Sequence, residues 1–475
     1  MSALPASAAE AATARRLTLG LLVFYLVYLF STPYQALYFD SMTYWDLTGR
    51  FYYATKSFNL LSFDSSIRGY LLPLLLFPFR VVAYLAHIPP IQFTRAIGAV
   101  VAALLFGWAA PAAWQAVVSA ERLSWRRRLA FAALGFVFWR DYFVFPLTDF
   151  YSLLLMLLVF WLVLRRGGHR GWLLLAGVLC MAAANLRPVY AGAAGLLLLG
   201  GVWLARRQHG LSWRLIGRQL AVFLLGMALV GGPQLAINVR HFGRYTPFVL
   251  TWKNPSAPQS LYLSQLSWGL AVQKYETTID PTYRVPGTTE PEYRIMYVDE
   301  VGQRIMDEEQ ISFIYGLRDL SHYLTAVRHN PVDMLALYGR HVFNGLDVKY
   351  ATPYLPRVFG STLPLSLLNY TVLFLAGLVL LLRRHRRLSW PQWIALLVLV
   401  GPCLLAIPTA MECRFFIPIY LLLYAVLCFC WPPNWRAAFL RWPVALAYAG
   451  FVLLCLMLSS NTLWHMTNGP RLLWP

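Results

Sequence analysis

A few charged residues sit among long apolar blocks, and their types point to one kind of chemistry. Setting aside the arginine clusters between blocks leaves Asp40, Asp46, Arg50, Lys56, Asp64, Arg68 and Arg80 in the first polar stretch. Arg140, Asp141 and Asp149 follow, then Arg187, then Arg240, His241 and Arg244, and last Glu412 and Arg414. A charge at the centre of a spanning helix costs about 2.5–3.5 kcal/mol, so charges that adjoin apolar sequence need a reason. An acid near a pair of arginines suits attack by a hydroxyl or amine on a phosphate-bearing electrophile. The carboxylate accepts the proton, and the guanidinium groups hold the phosphate by their fork geometry.

Each residue also has a plainer reading. Asp40 and Asp46 lie six positions apart in Tyr38-Phe39-Asp40-Ser41-Met42-Thr43-Tyr44-Trp45-Asp46, a spacing that does not share a helix face, so both fit solvated loop acids. Asp149 follows Pro146-Leu147-Thr148 and fits a helix N-cap. Arg187, in Asn185-Leu186-Arg187-Pro188, fits an interfacial arginine whose head reaches water. Glu412 and Arg414 fit a structural ion pair. No single residue is specific; their collection on one side of the apolar blocks is more so.

The elements that must position them follow from composition. The 475 residues are 59% hydrophobic and 13% charged, about half the usual charged share of roughly 25%. That excludes a disordered chain, a fibrous protein and an ordinary soluble enzyme. Blocks such as 17–30, 150–164 and 444–458 approach the ~20 apolar residues that a bilayer span needs. The expected class is an all-α polytopic membrane protein. The net charge of +20 comes from 36 Arg and 4 Lys, with most Arg in short clusters between blocks, as the positive-inside rule produces. The long polar stretch 241–362 carries 12 acidic residues and offers no basic face, so nucleic acid is not an expected partner. The six cysteines all fall in or beside apolar blocks, where Cys behaves as a small hydrophobe. Cys428 and Cys430 point to different helix faces, and no metal site is assigned.

Eleven spans are expected: 17–36, 95–118, 129–147, 150–165, 171–187, 189–205, 218–237, 363–382, 389–409, 414–431 and 444–460. Segment 70–85 is apolar enough to compete. Placing it as a juxtamembrane helix on the outer surface puts every arginine cluster inside: 122–128, 165–170, 206–218, 383–387 and 436–441. Pro73, Pro78 and Arg80 agree with that choice. The N-terminus then reads as an uncleaved signal anchor facing inside, and the C-terminus ends outside. Three parts follow: a transmembrane module 1–240 with a first outer loop 37–94, an extracytoplasmic mixed segment 241–362 with helical patterns at 299–327 and 331–345, and C-terminal helices 363–475.

Six segments then carry a family resemblance. They are Phe39-Asp40-Ser41-Met42-Thr43-Tyr44, Arg68-Gly69-Tyr70-Leu71-Leu72-Pro73-Leu74, Leu147-Thr148-Asp149, Asn185-Leu186-Arg187-Pro188-Val189, Gly232-Pro233 with Asn238 and Gly243, and Met411-Glu412-Cys413-Arg414-Phe415-Phe416-Ile417-Pro418. In order and sidedness they resemble the GT-C superfamily of membrane glycosyltransferases, among them the protein O-mannosyltransferases and the aminoarabinose-to-lipid-A transferases. The resemblance covers most of the chain. It implies inverting transfer of a hexose or pentose from a polyprenyl-phosphate sugar to a lipid, glycan or protein acceptor, on the outer face of the plasma membrane. Under it Asp40 is the general base, with Asp46 as its competitor, and Asp149 orients base or acceptor. Arg187, Arg414 and Arg68 bind the donor phosphate; Tyr44, Glu412, Asn238 and His241 position donor or acceptor. No general acid is needed, because a phosphate already leaves well. No cofactor is assigned, and a divalent cation stays open. The first loop lacks the adjacent Asp-Glu pair of the protein O-mannosyltransferases, which counts against protein mannosylation.

Two other classes are weighed. A flippase for lipid-linked sugars calls for charges at mid-membrane and symmetry between halves, and neither is visible. An O-antigen polymerase or ligase places arginines and a histidine in a large outer loop, which His322, Arg328, His329, Arg340 and His341 allow.

Overall fold

The apolar blocks fold into helices whose ends are set by proline, glycine and short polar side chains. The computed structural model describes residues 8–52, 56–118, 122–166, 169–207, 210, 212–253, 259–284, 289–312, 316–382, 388–431 and 441–471. Most of these residues are helical. Six helices are long and apolar enough to cross a membrane: Glu10–Ser31, Pro90–Val117, Thr148–Arg165, Trp213–Phe242, Leu363–Leu382 and Trp442–Asn468. Shorter apolar helices cover Leu71–Ala86, Arg170–Leu186, Tyr190–Val202, Trp390–Ala406 and Cys413–Phe429. The expected arginine clusters at 383–387 and at Arg436, and the first seven residues of the expected anchor, lie outside the described residues. The chain divides into two compact units, 1–258 with 386–402 and 259–385 with 403–475.

In the first unit, α1 (Ala8–Ser31) stops five residues short of its expected end. Pro33 disfavours helical geometry in the residue before it. The expected first loop is largely helical. It holds α2 (Phe39–Leu47), begun where the Tyr38 N–H donates to Ser41 Oγ at 2.9 Å, and α3 (Leu71–Ala86). Helix α3 ends at His87 in the left-handed region, φ 52°. Helix α4 (Pro90–Leu104) runs through a π turn, Leu105–Ala109, into α5 (Ala110–Val117). Helix α6 (Trp125–Trp139) corrects the expected span 129–147: it ends eight residues early in a 3-10 turn, Arg140–Val144, ahead of Pro146. Helices α7 (Thr148–Arg166), α8 (Arg170–Leu186), α9 (Tyr190–Arg207) and α10 (Trp213–Phe242) complete the series. Gly243, at φ 63°, caps α10 in a conformation that glycine adopts without strain.

The second unit departs from the all-α expectation. After α11 (Leu261–Ala271) come β1 (Val272–Thr278) and β2 (Arg294–Val298). Then follow α12 (Glu300–Glu308), α13 (Leu320–His329), α14 (Pro331–Gly345) and β3 (Tyr354–Leu355). The sheet order is β2-β1-β3, with β1 antiparallel to β2 and parallel to β3. The expected helix over 299–327 is two helices. Positive φ at Gln310 and Gly316 breaks it, and the Asp319 carboxylate accepts the His322 N–H to start α13. Segment 331–345 is helical as expected. The apolar helices α15 (Leu363–Leu382), α16 (Trp390–Ala406, in the first unit up to Pro402), α17 (Ile417–Phe429) and α18 (Trp442–Asn468) follow. The segment from residue 259 shares its unit with α15, α17 and α18. Asn369 Nδ2 donates to the Leu346 carbonyl at 2.8 Å, and Lys349 Nζ to the Ser459 carbonyl at 3.0 Å.

Candidate active site

Helix α2 presents Asp40 in its first turn, where the amide dipoles favour a negative charge. Its other end is held by Arg80, which donates to the Trp45 carbonyl and to Thr48 Oγ1, both at 3.1 Å. Arg68 Nη2 donates to Asp40 Oδ1 at 2.9 Å, and the same guanidinium lies 5.2 Å from the ring centre of Tyr44, one turn along α2. Arg68 thus spans acid and aromatic together.

The residue after Arg68 makes the site possible. A Cβ on Gly69 would lie 2.2 Å from the Asn185 carbonyl oxygen, so the two backbones touch. Asn185 then fixes the crossing with its amide. Its Oδ1 accepts the Leu71 N–H at 3.0 Å, and its Nδ2 donates to Gln234 at 2.9 Å. Gln234 donates to Asn238 at 2.9 Å, and Asn238 donates to the Thr246 and Phe248 carbonyls, each at 2.8 Å. These three amides are fully or nearly fully buried, and a satisfied buried chain of this kind fixes one geometry.

Two residues beyond Asn185, Arg187 leaves the end of α8 in extended backbone and pairs with Asp149. Asp149 is buried in the first turn of α7 rather than capping it. The pairs Asp40–Arg68 and Asp149–Arg187 therefore flank one backbone crossing. Tyr44, Leu72, Leu76 and Leu186 form an apolar cluster beside it, with Tyr151 packed against them. The Tyr151 hydroxyl is buried with no hydrogen-bond partner among the described residues.

Other expected site residues fall elsewhere. Asp46 is exposed on α2, with no ion pair among the described residues. His241 is exposed and its Nε2 lies 2.8 Å from the Leu61 carbonyl, so it pins the first loop to α10. Asn238 acts through the amide chain. Glu412 and Arg414 belong to the second unit, where Arg414 Nη2 donates to Glu412 Oε1 at 2.8 Å. The Tyr275 hydroxyl donates to the same carboxylate, and burial together with Glu412 pushes it well above the usual phenol range.

The residues of the alternative polymerase reading are largely taken up structurally. Arg340 pairs with Asp299 at 2.8 Å and His329 with Glu309 at 2.7 Å, while the His322 ring meets the Glu309 carbonyl at 2.9 Å. His341 is fully buried against the Ile407 carbonyl, and burial pushes it down to about 4. Among the described residues, no three His, Cys, Asp or Glu side chains come together as metal ligands.

A further cluster carries no motif in the sequence: Lys274, Glu276, Asp347 and Lys349, all buried or nearly so in the second unit. The available signal was rarity, because two of only 4 lysines stand there beside 36 arginines.

The Gly69 crossing yields a stability prediction. Overpacking typically costs about 1–3 kcal/mol, and here the obstacle is backbone. Gly69→Ala should sit at or above the top of that range and lower the unfolding temperature of the purified protein in detergent. Gly20→Ala, where a Cβ meets nothing within 4 Å, is the matched control. Equal unfolding temperatures for the two variants would remove the crossing from the account.

No protein-family model matches the chain, and neither a curated protein nor a solved structure is significantly similar to it.

Proposed function

We propose that this chain is an integral membrane glycosyltransferase of the GT-C type. It moves a sugar from a polyprenyl-phosphate donor to a lipid, glycan or protein acceptor on the extracytoplasmic face of the plasma membrane. The observation that carries the reading is the flanking of the Gly69–Asn185 crossing by Asp40–Arg68 and Asp149–Arg187. A guanidinium has five N–H donors, so each arginine can keep its carboxylate while it meets a phosphate oxygen. With the phosphate charge offsetting that of Arg68, the Asp40 carboxylate is less stabilised as an anion and becomes a stronger base. The acceptor hydroxyl or amine attacks the anomeric carbon from the face opposite the phosphate. Its proton passes to Asp40, and the bond to the phosphate breaks with its electrons on the departing oxygen. Arg187, oriented by buried Asp149, stabilises that charge.

In this reading α1, the α4–α5 helix, α6 to α10 and α15 to α18 make eleven spans. Helix α3 lies in the outer interface with Leu75, Tyr84 and Leu85 exposed. Single cysteines at Arg127 and Arg166 should react with an impermeant reagent only after the cell is opened, and those at Asp64 and Tyr283 in intact cells. External reaction at Arg127 would turn α3 into a span and invert the arrangement. The function itself is tested by lipid and glycan analysis of a deletion strain. A glycoconjugate should disappear, return with the wild-type chain and stay absent with Asp40→Asn. Identical profiles in all three strains would end the reading.

A further inference from the structure

The chain repeats an element that the transfer chemistry leaves unused. Leu-Ser-Trp stands at 123–125, 211–213 and 388–390, each time directly beside arginine: Arg122 and Arg126, then Arg214, then Arg387. A fourth copy, 266–268, has no arginine beside it in sequence and lies inside α11. The other three open apolar helices of the first unit, α6, α10 and α16. The serine sets each start. Ser124 Oγ accepts the Arg127 N–H and Ser212 Oγ the Leu215 N–H, both at 3.4 Å, and the Ser389 N–H donates to Gln392 Oε1 at 2.9 Å. The tryptophan that follows is exposed in all three. The Arg126 guanidinium lies 5.7 Å from the ring centre of Trp125, and that of Arg206, from the last turn of α9, lies 5.5 Å from the ring centre of Trp213.

These helix starts come to one end of the unit. Helices α8 and α10 run side by side in the same direction, with Gly177 touching Phe223 and Asn185 bonded to Gln234. Helix α7 runs against α8, because Asp149 at its start pairs with Arg187 past the end of α8. The far end of α7 therefore lies with the starts of α8 and α10. There Arg165 Nη2 donates to the Gln115 carbonyl of α5 at 2.7 Å. Gln115 Oε1 accepts from Arg128 of α6 at 3.0 Å, and the Val118 carbonyl accepts from Gln392 of α16 at 3.4 Å. Trp125, Trp213 and Trp390, with Trp172 of α8, are thus exposed at the end opposite Asp40. Negative charge is scarce there. Neither 150–258 nor 386–402 contains an acid. Glu10, at the start of α1, pairs with buried Arg128 at 3.2 Å and accepts from Gln115 at 2.6 Å, and Glu121 lies outside the described residues. Arg122, Arg126, Arg170, Arg206, Arg214 and Arg218 are exposed.

We propose that this end of the first unit is a docking surface for anionic phospholipid. Lipid phosphates accept from the arginines beside Trp125 and Trp213, the indole rings lie at head-group level, and the acyl chains run along the apolar helices. Charge and position together select this occupant. Arginine's fork matches a phosphate, and tryptophan settles at the boundary between bilayer and water. A zwitterionic lipid offers the same phosphate but cancels its charge with its own ammonium. A soluble anion would leave the rings bare in water. Directing insertion needs only the cationic clusters, not the rings that hold two of their arginines at the boundary. The surface is independent of the transfer chemistry assigned to Asp40.

The test mixes the full wild-type chain, purified in nonionic detergent, with equal amounts of phosphatidylglycerol and phosphatidylcholine of identical acyl chains. Lipid that stays with the protein through gel filtration is counted by mass spectrometry. An arginine near an anionic lipid surface contributes about fivefold in affinity, so phosphatidylglycerol should be in at least about tenfold excess. Raised salt should shrink that excess by screening. Arg126→Gln combined with Arg214→Gln should cut retained phosphatidylglycerol at least about fivefold and leave phosphatidylcholine unchanged. Arg244→Gln is the control, because Arg244 also lies over a ring, 5.2 Å from the centre of Trp252, but follows α10 at its other end. It should retain lipid like wild type. Asp40→Asn should do the same, so loss of transfer and loss of lipid binding are separable. Equal retention of the two lipids by the wild-type chain, or as great a loss in Arg244→Gln as in the double variant, overturns the proposal. If the double variant does not fold, the wild-type ratio and its salt dependence still decide.

Discussion

Asp40→Asn is expected to lower sugar transfer by about 10²–10⁴-fold, the usual contribution of a positioned base, with donor binding nearly intact. Asn keeps the size and one acceptor oxygen but takes no proton at neutral pH. Its effect on stability should be small. The ion pair to Arg68 is part-exposed, 26% and 36% for the two side chains, and pairs that meet water contribute about 0–1 kcal/mol. Asp46→Asn should stay within a few-fold of wild type, because Asp46 faces outward from α2 without an ion pair among the described residues. Single-turnover assays on detergent-purified variants with a synthetic prenyl-phosphate sugar separate the two. A dead Asp46→Asn beside an active Asp40→Asn would move the base to Asp46. Normal turnover in both would remove the first-loop acids from the chemistry.

Arg187→Ala is expected to damage both fold and rate. Asp149 is only 6% exposed, and removing one partner of a buried pair typically costs about 3–5 kcal/mol by stranding the other charge. Losing a preorganised donor to developing charge costs about 10²–10³ in rate. The two effects can be parted. In Arg187→Met with Asp149→Asn no charge is stranded, so most of the stability should return while turnover stays low. Arg187→Lys should fold well and turn over at an intermediate rate, because it keeps the charge and loses the fork. Thermal unfolding and single-turnover rates on the same preparations give both readouts. Wild-type turnover in the Ala variant would leave Arg187 a purely structural residue.

The helices were legible because long apolar blocks have few other folds. Their ends were less so. The α6 terminus depends on how Arg140–Val144 winds ahead of Pro146, and α2 is a nine-residue helix that reads as loop because its start rests on one Ser41 hydrogen bond. The sheet was hidden for a related reason. Strand β1 alternates little, and its partner β3 has two residues, each paired across 77 positions. Asp40, Arg68, Asp149 and Arg187 were legible as candidates because charges beside apolar blocks are few. Their pairing was not, since it depends on Gly69 meeting Asn185, a contact across 116 positions. The buried lysines left only a compositional trace, because Lys and Glu on an outer segment ordinarily mean a solvated face.

The most direct measurement supplies the purified chain with a polyprenyl-phosphate sugar labelled in the sugar, together with a total envelope extract as acceptor. Prenyl phosphate and labelled acceptor are then followed together. They should appear one for one, with inverted configuration at the anomeric carbon, and Asp40→Asn should form both at least about 10²-fold more slowly. An intact donor after prolonged incubation with folded wild-type protein, across donors of differing sugar and prenyl length, would contradict it.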